Sequence, residues 1–223
     1  MIHLLNDQFY FIKDEYFNKY DKEHKLLRNK ENSAEHARPC LFVFLDKNNK
    51  DIMWVVPISS QVEKYTNIAN HKIQKMMGKG EKKCDQILFG KVLGSKRAFL
   101  IQNMFPITKE YIQSIYIDKQ TKCPVNISKD TMYEVQCSAK RVLGAALSGR
   151  NKYAVFSDIS ATRKELINEL RTKEIKRESD IGSEEFGKNK SKAMSDYKSE
   201  IANKKRGSTH NVQKSKNRNM RER

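Results

Sequence analysis

Two apolar runs facing each other across a short polar turn limit the folds open to this chain. The first, Cys40–Asp46, carries Leu41, Phe42, Val43, Phe44 and Leu45 without a break, and the second, Ile52–Ile58, carries Met53, Trp54, Val55 and Val56. Unbroken apolar runs of this length, rich in aromatic and β-branched residues, read as strands in the middle of a sheet. Lys47-Asn48-Asn49-Lys50 between them is turn chemistry, so the pair predicts an antiparallel hairpin around which other elements must pack.

The rest of the chain supplies those elements. Phe9–Ile12 reads as a short aromatic strand, and Asp14 is placed to cap a helix running to about Tyr20. Asp21–Arg38 is polar and basic without a hydrophobic period, which predicts a long loop. Gln61–Met77 has helical composition, closed by Met77-Gly78-Lys79-Gly80. Gln86–Leu93 and Arg97–Gln102 read as third and fourth core strands around Gly94-Ser95, and Thr108 as the cap of a short helix to about Tyr116. Ser128 opens a helix to about Leu147 whose apolar face holds Val135, Val142, Leu143 and Ala146. Ser160 begins another, with Leu166, Ile167 and Leu170.

From Arg177 onward this patterning dissolves. Gly182–Arg223 holds too few large apolar residues to offset the entropy of ordering, so a disordered basic tail is expected, transiently helical near Ala193–Ala202. Hairpin-linked strands with helices inserted between them predict an α+β class: a twisted antiparallel sheet or partly closed barrel. The expected organisation is a domain over 1–177 and a tail over 178–223.

Charge bears on partners. Among 223 residues, Lys and Arg number 44 against 27 Asp and Glu, a net charge of +17, which favours a polyanionic partner. No apolar stretch is long enough to span a bilayer, and Asn6, Asp7 and Gln8 interrupt any signal-peptide core, so a cytoplasmic location is expected. Cys40, Cys84, Cys123 and Cys137 are widely spaced, and Cys40 and Cys84 with His36 and His71 fit no zinc-finger or ribbon spacing; no metal or other cofactor is expected.

A candidate site lies where the second apolar run ends. Ser59 and Ser60 stand at a strand-to-helix corner and Lys64 follows one turn into the helix, so hydroxyls, an ammonium and free helix amides converge as they would on a phosphate. A serine cap on the helix is the simpler reading, and the two are compatible. Arg38 precedes Pro39 and the first run, placing a guanidinium at a sheet end that only the strand register can identify. His71, Lys72 and Lys75 give the helix its positive character, His71 being a possible acid or base. Tyr65 can stack on a base or pack inward; Gln102 and Asn103 can read base edges or satisfy backbone groups.

These blocks, in order, resemble a known family. Arg38-Pro39-Cys40, the run Val56–Tyr65, Phe89–Gly94 and Arg97–Ile107 are similar to the toxins of type III toxin–antitoxin systems, the ToxN/AbiQ group, closest to its CptN branch. The resemblance spans roughly Phe9–Leu147. It implies an α+β, barrel-like endoribonuclease akin to the MazF/Kid fold, acting in plasmid maintenance or phage defence. Such toxins cut RNA without a metal, leave 2′,3′-cyclic phosphate and 5′-hydroxyl ends, and are inhibited by a small structured antitoxin RNA. They process that RNA themselves and assemble with it into closed rings.

The resemblance places the family's hydroxyl pair on Ser59 and Ser60 and its basic residue near Arg38. ToxN-like members carry a lysine after the pair and one proline, whereas Gln61-Val62 stand here and Lys64 is the nearest lysine. Two other readings remain open: a non-catalytic basic RNA-binding protein, and a MazF/Kid-type ribonuclease controlled by a protein antitoxin.

Overall fold

A computed structural model describes residues 4–21, 26, 38–76, 83–149, 155 and 158–179. Most of the expected Asp21–Arg38 loop, the glycine stop at 77–80 and the tail from 180 onward lie outside the described residues. The chain divides into two units, Met1–Asn168 and Glu169–Arg223.

Among its described residues the first unit has seven antiparallel strands: β1 (Phe9–Ile12), β2 (Cys40–Leu45), β3 (Ile52–Ser59), β4 (Leu88–Val92), β5 (Ser95–Phe99), β6 (Phe105–Thr108) and β7 (Ile112–Ile115). Their order is β4-β5-β3-β2-β1-β7, with β6 also paired to β3. The sheet is therefore open, with β4, β6 and β7 at its edges, and does not close into the barrel that was one of the two expected forms. Three longer helices belong to it: α1 (Asp14–Tyr20), α2 (Val62–Met76) and α3 (Lys129–Leu147). A fourth, α4, runs over 159–179. In the second unit, the described part is helical and carries a Lys173–Glu169 ion pair at 3.5 Å.

The predicted hairpin is the centre of this sheet, and β3 is buried along its whole length. Its apolar residues split by parity. Trp54, Val56 and Ile58 enter one core with Phe9, Leu41, Val43 and Phe99, closed by Val135, Ala139 and Val142 of α3. Ala98 and Leu100 face the other way and pack with Tyr65 and Ala69 of α2. Because alternate residues of a strand point to opposite faces, Ser59 shares the α2 face with its cross-strand partner Ala98.

Proline shapes the outer edge of β3. Pro57 has no N–H, and its carbonyl accepts the amide of Leu100 at 3.0 Å. At that point the facing chain leaves the ladder for a 3-10 turn, Ile101–Asn103, so β5 pairs with the end of β3 and β6 with its beginning. Pro106 sits on β6 with its carbonyl turned outward, where it accepts the buried Tyr16 hydroxyl at 2.7 Å.

Other boundaries differ from expectation. Asp14 lies in the first turn of α1 rather than capping it; Lys13 is the cap residue and makes no side-chain bond. The helix expected from Thr108 is a single 3-10 turn, Lys109–Tyr111, followed by strand β7, because pairing with β1 outweighs local propensity. The fourth strand ends at Phe99, not Gln102. Ser128 does cap α3, accepting the Thr131 amide.

Two acid–base contacts fix α3 and α4. Asp85 accepts Nε and Nη2 of Arg141, both at 2.7 Å, and the Ser138 hydroxyl at 3.0 Å, tying the segment before β4 to α3. Asp46 accepts Nε and Nη2 of Arg163 at 2.7 Å each, the Trp54 indole N–H at 3.1 Å and the amides of Asn48 and Asn49. One carboxylate thus organises the β2–β3 turn, orients the largest core side chain and holds the start of α4.

Close packing of β4 under α3 gives a direct test. A Cβ at Gly90 would lie 2.6 Å from Thr131 Cγ2 and 3.0 Å from Phe99 Cε2. Gly90→Ala should cost about 1–3 kcal/mol, read as a lower urea midpoint at unchanged m-value. A midpoint equal to that of the parent protein would show that α3 yields without cost.

Candidate active site

The register of the central hairpin decides which sheet end Arg38 occupies. Cys40 pairs with Pro57, and the Ile58 amide donates to the Pro39 carbonyl at 3.3 Å, carrying the ladder one step further. Continued by one step beyond these bonds, this register places Arg38 across from Ser59, on the same face of the sheet. Directly opposed residues have Cβ atoms about 5 Å apart. A shared face agrees with the Cys40 thiol: burial pushes it up to about 12, and the Arg38 guanidinium partly opposes the rise.

The corner after Ser59 adds further donors. Ser59 is nearly buried, and its Oγ accepts the Gln61 amide at 3.2 Å, an interaction local to the turn. Its hydroxyl hydrogen has no acceptor among the described residues. Ser60 is exposed, and its carbonyl takes the Val62 amide at 2.8 Å. The first bond of α2 runs from the Tyr65 amide to the Gln61 carbonyl, so Gln61, not a serine, is the cap residue. Neither serine side chain bonds the first-turn amides of Glu63 and Lys64, and these have no acceptor among the described residues. The simpler reading of the serines as helix caps is therefore not what this geometry contains.

Position along α2 separates the residues grouped by sequence. Tyr65, Ala69 and Lys72 follow the i, i+4, i+7 spacing of one stripe, and that stripe faces the sheet. Tyr65 is buried rather than displayed, with the Lys64 ammonium 5.7 Å from its ring centroid. Lys72, half-buried, donates to Oε1 of Gln102 at 2.7 Å and to Oε1 of Gln86. Desolvation holds its pKa below the ordinary lysine value, against a smaller raising effect from Cys84. Gln102 and Asn103 are buried in the 3-10 turn, and the Gln102 amide donates to the Gln86 carbonyl at 3.0 Å. Of the two uses open to them, Gln102 is engaged internally, holding the 3-10 turn to α2.

The other stripe of α2 faces solvent. Lys64, His71 and Lys75 are exposed at i, i+7 and i+11, with His71 about 10 Å along the axis from Lys64. Ser59 thus ends β3 and Ser60 leads to the start of α2, with Lys64 in its first turn and Arg38 just before β2. His71 and Lys75 continue from Lys64 as a basic stripe, while Tyr65, Lys72, Gln102 and Asn103 are turned inward.

Two lysines lie one row along the sheet from this corner. Lys91 and Lys96 pair directly across β4 and β5, and the Lys96 ammonium lies 5.2 Å from the ring centroid of Phe89, which packs on the α2 core. Each lysine alone looks like an ordinary strand charge; only the register places them side by side on the Ser59 face.

No family model and no curated protein matches this sequence. Among solved structures the chain is similar to AbiQ, a lactococcal anti-phage endoribonuclease belonging to the type-III toxin–antitoxin system. That match has a TM-score of 0.48 and 17% identity, and covers 74% of this chain and 98% of the other. It is also similar to a chain of a bacterial antiviral system regulated by a processed non-coding RNA, at a TM-score of 0.34 and 15% identity, covering 73% and 86%.

Proposed function

We propose that this protein is the endoribonuclease toxin of a type III toxin–antitoxin system. It cleaves RNA without a metal by attack of a 2′-hydroxyl on the adjacent phosphorus. The observation that carries the reading is the hairpin register, which ends at Cys40–Pro57 and the Ile58–Pro39 bond and, continued one step, carries Arg38 to Ser59 at the start of α2. A guanidinium and a hydroxyl there suit a phosphate whose negative charge grows during reaction. The ordered sequence blocks from Arg38 to Ile107 support the family assignment independently of that geometry.

In the reaction, the 2′-oxygen forms a bond to phosphorus, and the bond from phosphorus to the 5′-oxygen breaks. The 2′-proton leaves to a base, and a proton is delivered to the departing 5′-oxygen. Products are a 2′,3′-cyclic phosphate and a 5′-hydroxyl. Arg38 and the Ser59 and Ser60 hydroxyls hold the non-bridging oxygens, with the amides of Glu63 and Lys64 as further donors. The Lys64 ammonium steers and neutralises the phosphate. His71, two turns further on, is beyond hydrogen-bond reach of a phosphate at this corner, so in this proposal it contacts the RNA and the base is not assigned to it.

The RNA partner has two forms in this proposal: cellular or phage transcripts as substrate, and a small structured antitoxin RNA as inhibitor. The toxin cuts the latter from a repeated precursor and closes with it into a ring. The exposed stripe Lys64, His71, Lys75 offers such an RNA two ammonium groups with an imidazole between them.

The test is incubation of the purified protein with a defined RNA in EDTA, followed by mapping of the product ends. Discrete fragments ending in 2′,3′-cyclic phosphates, absent with Ser60→Ala, are expected. RNA bound tightly but left intact by a folded, antitoxin-free protein would leave only the non-catalytic binding reading.

A further inference from the structure

The β4–β5 hairpin carries a feature that does not serve the stability of the sheet. Lys91 and Lys96 are directly opposed across the two strands, on a face exposed to solvent at both positions. Like charges in this relation destabilise a strand pair. The hairpin closes on Leu93 and Gly94 with φ of 48° and 73°. A left-handed residue there suits Asn or Gly, yet Leu93 occupies it and is half exposed. Unfavourable charge and an unfavourable turn residue coincide at one sheet edge.

Register relates this edge to the candidate active site. Ser59 pairs with Ala98, and Ala98 with Phe89, forming one row across β3, β5 and β4 on the α2 face. Lys96 and Lys91 are each two residues further along on that face, a displacement of about 7 Å. The Lys96 ammonium over the Phe89 ring confirms the side to which it points. Arg97, also on β5, donates to the Lys96 carbonyl at 3.3 Å. The lysine pair therefore lies one row beyond the Ser59 corner, Lys96 on the neighbouring strand and Lys91 one strand further out, about 8 and 12 Å from Ser59 along the sheet.

We propose that Lys91 and Lys96 form a second phosphate subsite, gripping the backbone phosphate next to the one held at Arg38 and Ser59. This rests on the reading of the protein as an RNA-cleaving enzyme, and it sets the path of the strand from the corner toward the hairpin tip. Two ammonium groups on one phosphate repel each other less once the anion is bound, so the strain in the free sheet becomes affinity for RNA. The subsite reads no sequence, since it touches only the backbone.

The experiment measures binding of a single-stranded RNA of defined sequence as a function of salt. It compares the parent protein, Lys91→Ala/Lys96→Ala, Lys91→Arg/Lys96→Arg, and a control pair Lys47→Ala/Lys50→Ala. The control lysines are exposed in the turn at the far end of β3. The alanine pair is expected to bind roughly tenfold more weakly at low salt, with the slope of log K against log salt shallower by about one to two. Its melting temperature should equal or exceed that of the parent, because a repulsion has been removed. The arginine pair should restore the slope, and the control pair should change neither quantity. An unchanged slope in the alanine pair, or an equal loss in the control pair, overturns the subsite while leaving the proposed function intact. A parent protein that binds no RNA overturns the proposed function and the subsite with it.

Discussion

Replacing Arg38 by alanine is expected to lower single-turnover RNA cleavage by about 10²- to 10³-fold, the usual effect of removing one preorganised donor from a developing oxyanion. The residue is half-buried at the mouth of β2, and the Cys40–Pro57 register continued by one step carries it to Ser59. Arg38→Lys keeps the charge but loses the planar fork, and should fall between the two. RNA affinity should change far less than rate, because the basic stripe of α2 remains. A rate within threefold of the parent, at equal melting temperature, would remove Arg38 from the reaction.

The second large effect concerns stability. Asp46→Ala leaves the partly buried Arg163 guanidinium and the Trp54 indole N–H without their acceptor, and frees the turn amides of Asn48 and Asn49. Breaking such a network from one side costs about 3–5 kcal/mol, which for a chain of this size lowers the melting temperature by roughly 10 °C. The same carboxylate fixes an acid sensitivity. Burial raises its pKa, but the Arg163, Asn48 and Trp54 hydrogen bonds outweigh it and bring the value down to about 2 from 3.8. A depressed pKa stabilises the fold when the group is ionised. The contribution, about 2 kcal/mol, is whole above roughly pH 4, declines as the pH falls through about 2, and is gone below. Urea midpoints between pH 5 and pH 2 should fall less steeply in Asp46→Asn than in the parent. Parallel pH profiles would show that other carboxylates govern acid unfolding.

What could be read from the sequence follows from the range of the forces involved. The hairpin Cys40–Leu45 and Ile52–Ser59 was legible because its burial is written in two adjacent apolar runs. Helix α3 was legible from Ser128, whose cap acts on residues three positions away. Strand β7 was not, since Ile112–Ile115 becomes a strand only through β1, a hundred residues earlier in the chain. The serine pair was found, but the choice of sheet end for Arg38 required the register. Lys72 shows the converse: its charge suggested a surface role, while its place on the Tyr65–Ala69 stripe sends it inward to Gln102. Asp46 gave no signal, because its partner Arg163 lies on another element far along the chain.

The broken partner strand of β3 carries a consequence for synthesis. Its inner edge is met by β2, already made, but its outer edge waits for residues 95–108. At ribosomal speed that interval lasts on the order of seconds, during which an eight-residue apolar strand has an unpaired border. Over the same interval Ser59 lacks the Ala98 neighbour that seats it. The nascent chain is thus at once most prone to self-association and without a completed corner, so the corner forms only as the outer edge of β3 is covered.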